Sequence, residues 1–278
     1  MTTPFPEAIT RYNEGDLAKL IVKKSMERLS EIVDVDVLVV GAGFTGLTAA
    51  WLLALNKFKV LIVDESLRLA GMGGSTPIVL PVALIEEGEA VEIAKDTGIR
   101  LYSGLSGIYV VDPSEALLKI CVKALDAGAN LWLGIKIEDV ITRGRGDELR
   151  VTGALVNTAL PLDDREGTNP LYIWARAVID ATDYECCVVR TLVKKHPEIK
   201  LEVPGASSGN VWVGEKEIIE KTGMVVPGLY VAGLSVAELY NANRVGPLIG
   251  GLIISGRKVA VQVASDLRAE ALGTTSTG

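Results

Sequence analysis

The sequence feature that most constrains the fold is a glycine-rich turn between an apolar run and a helical run. Residues 37–40 are aliphatic and lead directly into Gly41-Ala42-Gly43-Phe44-Thr45-Gly46. A helical pattern follows over 47–55, and a second apolar run, 59–63, ends at Asp64. In this order of strand, turn, helix, strand and acid, GxGxxG is typical of a dinucleotide-binding unit whose helix N-terminus faces a pyrophosphate. We therefore predict that Asp64 accepts hydrogen bonds from an adenosine ribose, and the motif leaves NAD and FAD as alternatives.

Composition and charge exclude several classes of function. The 278 residues are 49% hydrophobic and carry a formal net charge of −7, so nucleic-acid binding is not expected, because Lys and Arg make most phosphate contacts. No apolar run reaches the ~18 residues of a membrane span, and no signal pattern precedes residue 15, so we expect no membrane partner and a cytoplasmic location. Three cysteines do not suggest a disulfide framework. A single histidine excludes sites built from several imidazoles.

The remaining pattern predicts one elaborated dinucleotide-binding domain over 1–278. It has an N-terminal helical segment (1–33, with an amphipathic helix at 16–33), the glycine-rich unit (34–75) and a flexible tail (268–278). Further helices are predicted over 85–97, over 115–127 with Asp112 as its cap, and from near Glu185. Strands are predicted over 108–111, 130–141, 150–157, 171–175 and 177–181.

Two more glycine-rich stretches are placed to approach a ligand. Residues 69–77 contain Gly71, Gly73 and Gly74, and we predict a loop that passes over a cofactor bound at the strand ends. Residues 227–233 form a strand pattern that ends in glycine, and a glycine-rich helix start follows at 250–251. We expect this region to return the chain to the sheet beside the first strand, with its backbone close to the same ligand.

These patterns together predict an α/β, Rossmann-like dinucleotide-binding fold of the two-dinucleotide-binding flavoprotein type. Its central sheet is parallel, with added antiparallel strands. FAD-dependent reductases share the layout, but they usually carry an acid directly after the second motif, where this chain has Leu234. Over its full length the chain more closely resembles the thiazole synthase family of thiamine biosynthesis, through Gly41–Gly46, 112–128, 170–182 and 210–251.

The resemblance implies a ligand, its binding residues and an assembly. The ligand is an NAD-derived adenine nucleotide, bound by Gly41–Gly46 and by Asp64, Glu65, Gly71, Gly73, Gly74, Ile137, Gly233 and Leu234. An arginine in an R-x-G-P segment, matched by Arg244, holds the carboxylate of glycine, which a planar guanidinium can grip in bidentate fashion. The alternative for Arg244 is a structural ion pair. The family also implies a homo-oligomer, with an octamer as one form.

The reactive positions of the family match this chain poorly. Where the family has Cys or His followed two residues later by a metal-binding Asp, this chain has Gly167 and Asn169. The family's second metal-ligand His falls on Tyr184. An amide and a phenol are poorer ligands for Fe(II), so iron binding is expected to be weak, with Asp183 and Glu185 among the carboxylates left as alternative ligands.

Three hypotheses for function follow. The first is a divergent thiazole-synthase-like enzyme that converts NAD, glycine and a sulfur source such as sulfide to an adenylated thiazole, with Arg244, Glu185 and Cys186 as catalytic candidates. Cys186 is predicted to lie at a helix N-terminus, where a lowered pKa would suit a sulfur donor, and the alternative is a cysteine packed under that helix. The second is a nucleotide-binding protein that has lost the reaction, and the third is a flavin-dependent reductase.

Overall fold

The computed structural model describes residues 12–69, 81–160 and 169–273. The helices in these ranges are α1 (Glu14–Ile32), α2 (Phe44–Leu55), α3 (Glu89–Thr97), α4 (Pro113–Asp126), α5 (Cys187–Lys195), α6 (Val211–Lys221), α7 (Leu234–Tyr240) and α8 (Gly250–Ala271). The strands are β1 (Asp34–Val40), β2 (Val60–Asp64), β3 (Ala83–Glu86), β4 (Tyr102–Ser103), β5 (Ile108–Val111), β6 (Asn130–Leu133), β7 (Ile135–Arg143), β8 (Arg150–Thr158), β9 (Leu171–Asp180), β10 (Gly223–Val226) and β11 (Leu229–Val231).

The main sheet is mostly parallel, as predicted. Its strand order is β10-β11-β9-β1-β2-β6, and the parallel pairs are β11–β9, β9–β1, β1–β2 and β2–β6. Antiparallel pairing adds β10 at one edge and the β7–β8 hairpin, which joins through β9. A separate antiparallel sheet has the order β3-β5-β4. The predicted fold class is confirmed, and the division of the chain into a single domain stays a prediction.

The long strand β9 corrects two expectations. The sequence predicted separate strands at 171–175 and 177–181, but the backbone is continuous and pairs with β1 from Trp174 through Asp180. The other edge of β9 is shared, first by β8 and then by β11. The segment at 227–233 therefore reaches the sheet beside β9, and the prediction that it lies beside β1 is wrong. As a result, β1, β2, β9 and β11 end at one edge of the sheet.

Other element boundaries differ because glycines interrupt the apolar patterns. The helix predicted over 85–97 begins only at Glu89, since β3 ends at Glu86 and Gly88 has a φ of +135°. The strand predicted over 130–141 is divided into β6 and β7 at Gly134, where φ is +74°.

At the C-terminus, α8 continues to Ala271, so the first part of the predicted flexible tail is helical.

The N-terminus of α4 agrees with the prediction. Asp112 caps the helix, since its Oδ1 accepts the N–H groups of Ser114 at 2.8 Å and Glu115 at 3.1 Å. Such a cap satisfies N–H groups that have no partner within the helix. Cys121 is buried on the inner side of α4.

The helix α2 lies in the interior, between the sheet and α8. Thr45 through Trp51 are all buried, so the helix is apolar on every side rather than amphipathic. A Cβ placed on Gly256 of α8 would lie 2.4 Å from the carbonyl oxygen of Thr45. This close approach fixes the helix that follows the glycine-rich turn. No helix within the described ranges has the length and apolarity that a membrane crossing requires.

Candidate functional site

The glycine-rich turn is held by two glycines that the fold itself requires. Gly41 has a φ of +106°, and a Cβ there would lie 2.2 Å from the carbonyl oxygen of Ala181. A Cβ on Gly46 would lie 1.9 Å from the carbonyl oxygen of Gly41. Both distances are far inside van der Waals contact with backbone atoms, so these positions need glycine whether or not a ligand is bound.

Gly43 is different, because nothing in the described part of the chain requires glycine there. It is the N-cap of α2 with φ −82° and ψ −174°, an extended conformation open to any residue. A Cβ would meet only Asp183 Oδ2, at 3.9 Å. Among the described residues no side chain caps this helix, so its first N–H groups have no side-chain acceptor there. An uncapped helix N-terminus is the geometry that accepts a phosphate group.

Asp64 joins the turn to the end of β2. This buried carboxylate accepts the N–H of Ala42 at 2.7 Å through Oδ2 and the N–H of Ser66 at 2.8 Å through Oδ1. Each oxygen keeps a further lone pair, so the predicted hydrogen bonds to a ribose are compatible with these contacts. Glu65, the next residue, is exposed at the same edge of the sheet.

The other predicted nucleotide contacts are spread over several elements. Ile137 is half-buried on β7, opposite Val156 of β8. The glycines of the predicted covering loop, Gly71, Gly73 and Gly74, lie outside the described residues, as does Gly167.

The start of α7 packs directly on the glycine-rich unit. Gly233 has a φ of +66°, and a Cβ there would lie 2.4 Å from Thr45 Oγ1. Its N–H donates to Ser255 Oγ at 2.7 Å, and Thr45 donates to the carbonyl oxygen of Leu252 at 3.1 Å. Leu234 is buried. Gly233 is thus a packing requirement where α2, α7 and α8 meet, a role that its pattern in the sequence did not reveal.

Asp180, the last residue of β9, was missed by the sequence analysis. It is fully buried, and its Oδ2 accepts the N–H groups of Val188 and Val189 at the start of α5, each at 2.9 Å. Its Oδ1 accepts the hydroxyl of Thr182 at 2.7 Å and lies 3.2 Å from Ser235 Oγ. The available signal was an acid that closes an apolar run before a helix, the same arrangement as at Asp64.

The segment after β9 has an unusual backbone. Asp183 and Cys186 have φ values of +56° and +45°, and they flank Tyr184 and Glu185. Left-handed conformations are uncommon in residues other than glycine and cluster at functional sites. Ser235 Oγ donates to the carbonyl oxygen of Asp183 at 3.1 Å, which helps to hold this conformation.

The structure corrects the prediction for Cys186. Its side chain is fully buried, with Sγ 3.6 Å from the carbonyl oxygen of Ser235. Burial raises the pKa of Cys186, and the negative charge of Asp180 raises it further. Burial also raises the pKa of the neighbouring Cys187. The expectation of a lowered pKa is wrong, because at this helix N-terminus desolvation outweighs the dipole. These thiols lack the thiolate character of a sulfur donor.

Glu185 lies at the same edge of the sheet as the end of β2. Its side chain is exposed, yet partial desolvation raises the pKa of its carboxyl group, and the charges of Glu65 and Asp64 add to this effect. Carboxylates from two separate strand ends therefore face each other across the site. This surrounding favours the protonated form of Glu185 more than water does.

Arg244 and Tyr184 are in direct contact. The guanidinium carbon of Arg244 lies 4.6 Å from the centroid of the Tyr184 ring, and the arginine is exposed. The backbone N–H of Arg244 donates to the carbonyl oxygen of Ser208 at 3.1 Å. None of the ion pairs in the described part of the chain involves Arg244. The alternative interpretation of Arg244 as a structural ion-pair partner therefore has no support within these residues.

The described side chains around this segment do not fit an Fe(II) site. Within residues 12–69, 81–160 and 169–273, no group of three or more His, Cys, Asp or Glu side chains is arranged to hold a metal ion. Asn169 is exposed, and Tyr184 packs against Arg244. A cation against the ring of Tyr184 is an unfavourable neighbour for a second cation.

Comparisons with known proteins agree with this geometry. Residues 18–249 match the model of the Thi4 family. The chain is 42% identical over 259 residues to the thiamine thiazole synthase of Pyrobaculum arsenaticum, which covers 93% of this chain and 98% of that protein. It is 38% identical over 263 residues to the thiamine thiazole synthase of Archaeoglobus fulgidus, with coverage of 95% and 99%.

Solved structures extend the similarity to three dimensions. Thermovibrio ammonificans THI4 has a TM-score of 0.87 and 32% identity, covering 93% of this chain and 99% of that one. A geranylgeranyl bacteriochlorophyll reductase-like protein from Thermoplasma acidophilum has a TM-score of 0.57 at 17% identity, covering 85% and 79%, which indicates a common fold alone. Because the family model spans most of the chain and these thiamine thiazole synthases match it over nearly their whole length, this chain belongs to the Thi4 family.

Proposed function

We propose that this protein is a thiamine thiazole synthase that converts NAD, glycine and sulfide to an adenylated thiazole carboxylate. The observation that carries the proposal is that two features of the site lie next to each other. The uncapped helix N-terminus at Gly43 lies close to the side chain of Asp183. The guanidinium of Arg244 lies over the ring of the next residue, Tyr184. An anion-accepting turn and an arginine with no carboxylate partner among the described residues therefore belong to one site.

The turn would hold the NAD-derived nucleotide. Its pyrophosphate would take the free N–H groups at the start of α2, and Gly43 would let the backbone approach it. Asp64 and Glu65 would contact the adenosine ribose from the end of β2. Gly71, Gly73 and Gly74 are proposed to cover the nucleotide, with Ile137 and Leu234 beside it.

Arg244 would hold the carboxylate of glycine. Five N–H donors in a planar fork match both oxygens of a carboxylate, and a bidentate contact fixes the direction of the amino group. The reaction implied by the family opens the nicotinamide-bearing ribose after glycosidic cleavage, condenses it with glycine and inserts sulfur. Glu185, whose pKa is raised, is the proposed proton-transferring group on this side of the site.

Sulfide is the proposed sulfur source, because burial raises the pKa of both cysteines near the site. No step is assigned to iron, since the described side chains do not fit an Fe(II) site. One observation favours a second function: Tyr184 stands where the family has a metal-ligand His, so a protein that binds the adenylated ligand without turnover is the alternative.

The experiment that tests the proposal combines binding and product formation. Wild-type protein, Gly43→Val and Arg244→Lys are incubated with NAD, glycine and sulfide, and products are analysed by mass spectrometry. We expect an adenylated thiazole from the wild type, and loss of NAD binding by calorimetry in Gly43→Val, because the new side chain occupies the pyrophosphate space. Arg244→Lys is expected to bind NAD with the affinity of the wild type and to have a higher KM for glycine.

The outcomes separate the candidate functions. NAD binding that is unchanged in a folded Gly43→Val protein would contradict the nucleotide site. NAD binding without product in the wild type would favour the binding protein, and a bound flavin would favour the reductase.

We also propose that the protein is a homo-oligomer, as the family resemblance implies, with an octamer as one form. In the described part of α1 only Ile32 is buried, and Leu17, Leu20, Ile21 and Met26 are all exposed. Apolar side chains on one helix suit burial against another chain. Light scattering that reports a 29.5 kDa species at micromolar concentration would contradict this proposal.

A further inference from the structure

We infer that Tyr184 is a positioning residue that holds the guanidinium of Arg244 in place to receive the carboxylate of a small amino acid. The inference rests on the proposed function, in which that amino acid is glycine. It concerns a residue that departs from the family pattern, and it assigns this tyrosine a role that does not require a metal.

The ring of Tyr184 is a fixed platform. The residue lies between Asp183 and Cys186, both with positive φ, so the backbone has little freedom to move without leaving these conformations. The carbonyl oxygen of Asp183 is bound by Ser235 Oγ at 3.1 Å, and Cys186 is fully buried. The segment is therefore anchored on both sides of the ring.

Arg244 needs such a platform. Its backbone is tied to Ser208, but its side chain is exposed and forms no ion pair within the described ranges. A long side chain loses rotamer freedom when it binds a ligand, and this loss is smaller when the side chain is already held. The contact with Tyr184, at 4.6 Å from the ring centroid, is the interaction that orders it.

The geometry of the contact leaves the donors available. The guanidinium has five N–H donors in one plane, and in any orientation over the ring some of them point away from it. A carboxylate can bind to those donors while the contact with the ring persists. Burial also raises the pKa of Tyr184, so the phenol stays neutral and the ring keeps its attraction for a cation.

The test compares Tyr184→Phe, which keeps an aromatic face, with Tyr184→Leu, which removes it. Tyr172→Leu is the matched control, because Tyr172 is exposed near the start of β9, at the opposite end of the strand. We expect Tyr184→Leu to raise the KM for glycine about 3- to 30-fold, the range of a cation–π contact, with kcat and the Kd for NAD within about twofold of wild type. Tyr184→Phe and Tyr172→Leu are expected to keep the KM for glycine within about twofold of wild type.

A second readout does not depend on turnover. In ¹⁵N-arginine-labelled protein, the Nε–H resonance of Arg244, assigned by its loss in Arg244→Lys, should be shifted upfield by the ring. The shift should persist in Tyr184→Phe and disappear in Tyr184→Leu. If Tyr184→Leu fails to fold, the presence or absence of the shift in the wild type and Tyr184→Phe decides the matter.

The two readouts separate the failure of this inference from the failure of the proposed function. An unchanged KM for glycine in a folded Tyr184→Leu protein overturns the positioning role while the synthase activity stands. Absence of glycine-dependent product in the wild type overturns the proposed activity, and the arginine resonance then decides the role of Tyr184. An Arg244 resonance that is the same in Tyr184→Leu and wild type overturns that role.

Discussion

The two sides of the site are built in different ways. On the proposed nucleotide side, which is the glycine-rich turn with Asp64, backbone atoms of the turn and of the neighbouring strand end require glycine at positions 41 and 46. On the proposed reactive side, which is the segment 180–187 with Arg244, side chains such as Asp180 and Tyr184 meet partners far along the chain. A backbone requirement fixes the residue type, whereas a side-chain contact can be replaced by another that packs as well. If the proposed function holds, this difference accounts for a glycine-rich turn that matches the family resemblance beside reactive positions that do not.

The largest expected effect separates two glycines of the same motif. Gly46→Ala places a Cβ 1.9 Å from a carbonyl oxygen, and we expect it to lower the free energy of unfolding by about 4 kcal/mol or more, since the backbone must move. In Gly43→Ala the new Cβ meets no atom of the described residues closer than 3.9 Å, so the free energy of unfolding should change by less than about 1 kcal/mol. Urea unfolding of both variants measures the difference, and equal losses would contradict the division between fold and ligand requirements.

Asp180→Ala tests whether the reactive side is held by one buried carboxylate. The change leaves the N–H groups of Val188 and Val189 and the hydroxyl of Thr182 without their acceptor, so we expect the free energy of unfolding to fall by about 3 kcal/mol. Asp180→Asn keeps one acceptor oxygen and should lose less. Chemical denaturation gives both values, and a loss below about 1 kcal/mol in Asp180→Ala would show that the segment is held by other contacts.

Glu215 offers a third carboxylate, buried at the N-terminus of α8. It accepts the N–H of Gly251 at 3.0 Å, but burial raises its pKa to about 7, with the charge of Glu86 adding to the effect. Between pH 4.5 and about 7 the carboxyl group of Glu215 loses its proton in the unfolded chain but keeps it in the folded protein. The free energy of unfolding therefore falls as pH rises through that window.

Glu215→Gln removes this pH dependence and keeps an acceptor for Gly251. We expect it to be more stable than wild type at pH 8 by on the order of 2–3 kcal/mol, and to differ little near pH 4.5. The exposed Glu87→Gln is the control. Urea unfolding at a series of pH values gives the difference between each variant and wild type, and a difference for Glu215→Gln that does not grow with pH would contradict the expected titration.

The smallest expected effect concerns the cysteines of the reactive side. Because burial raises the pKa of Cys186 and Cys187, neither should be consumed during turnover. Intact-protein mass after incubation with NAD, glycine and sulfide should be unchanged. A loss of about 34 Da, the mass of hydrogen sulfide, would identify a cysteine as the sulfur donor instead.

The sequence predicted the glycine-rich turn and the start of α4 well because their signals are local. The turn at Gly41–Gly46, the acid at Asp64 and the Asp112 cap each depend on residues close along the chain. The reactive side depends on contacts between distant elements: no local pattern places Arg244 on Tyr184, and none reveals that Cys186 is fully buried. Asp180 had a signal of its own, since it ends an apolar strand before a helix as Asp64 does.

The predictions of element boundaries were wrong for a related reason. A continuous apolar run does not reveal where a glycine with positive φ will bend it, so β6 and β7 were predicted as one strand although Gly134 divides them. Conversely, two runs were predicted as separate strands, although pairing with β1 continues through both in β9. Partners across the sheet decide such boundaries.

In the proposed function, the glycine-rich turn binds an NAD-derived adenine nucleotide. The most direct test is to denature the purified protein and identify the released small molecule by mass spectrometry and absorbance. We expect NAD or an adenylated thiazole carboxylate, with the ultraviolet band of adenine and no visible band. Release of FAD, with the yellow colour of an oxidised flavin, would contradict it.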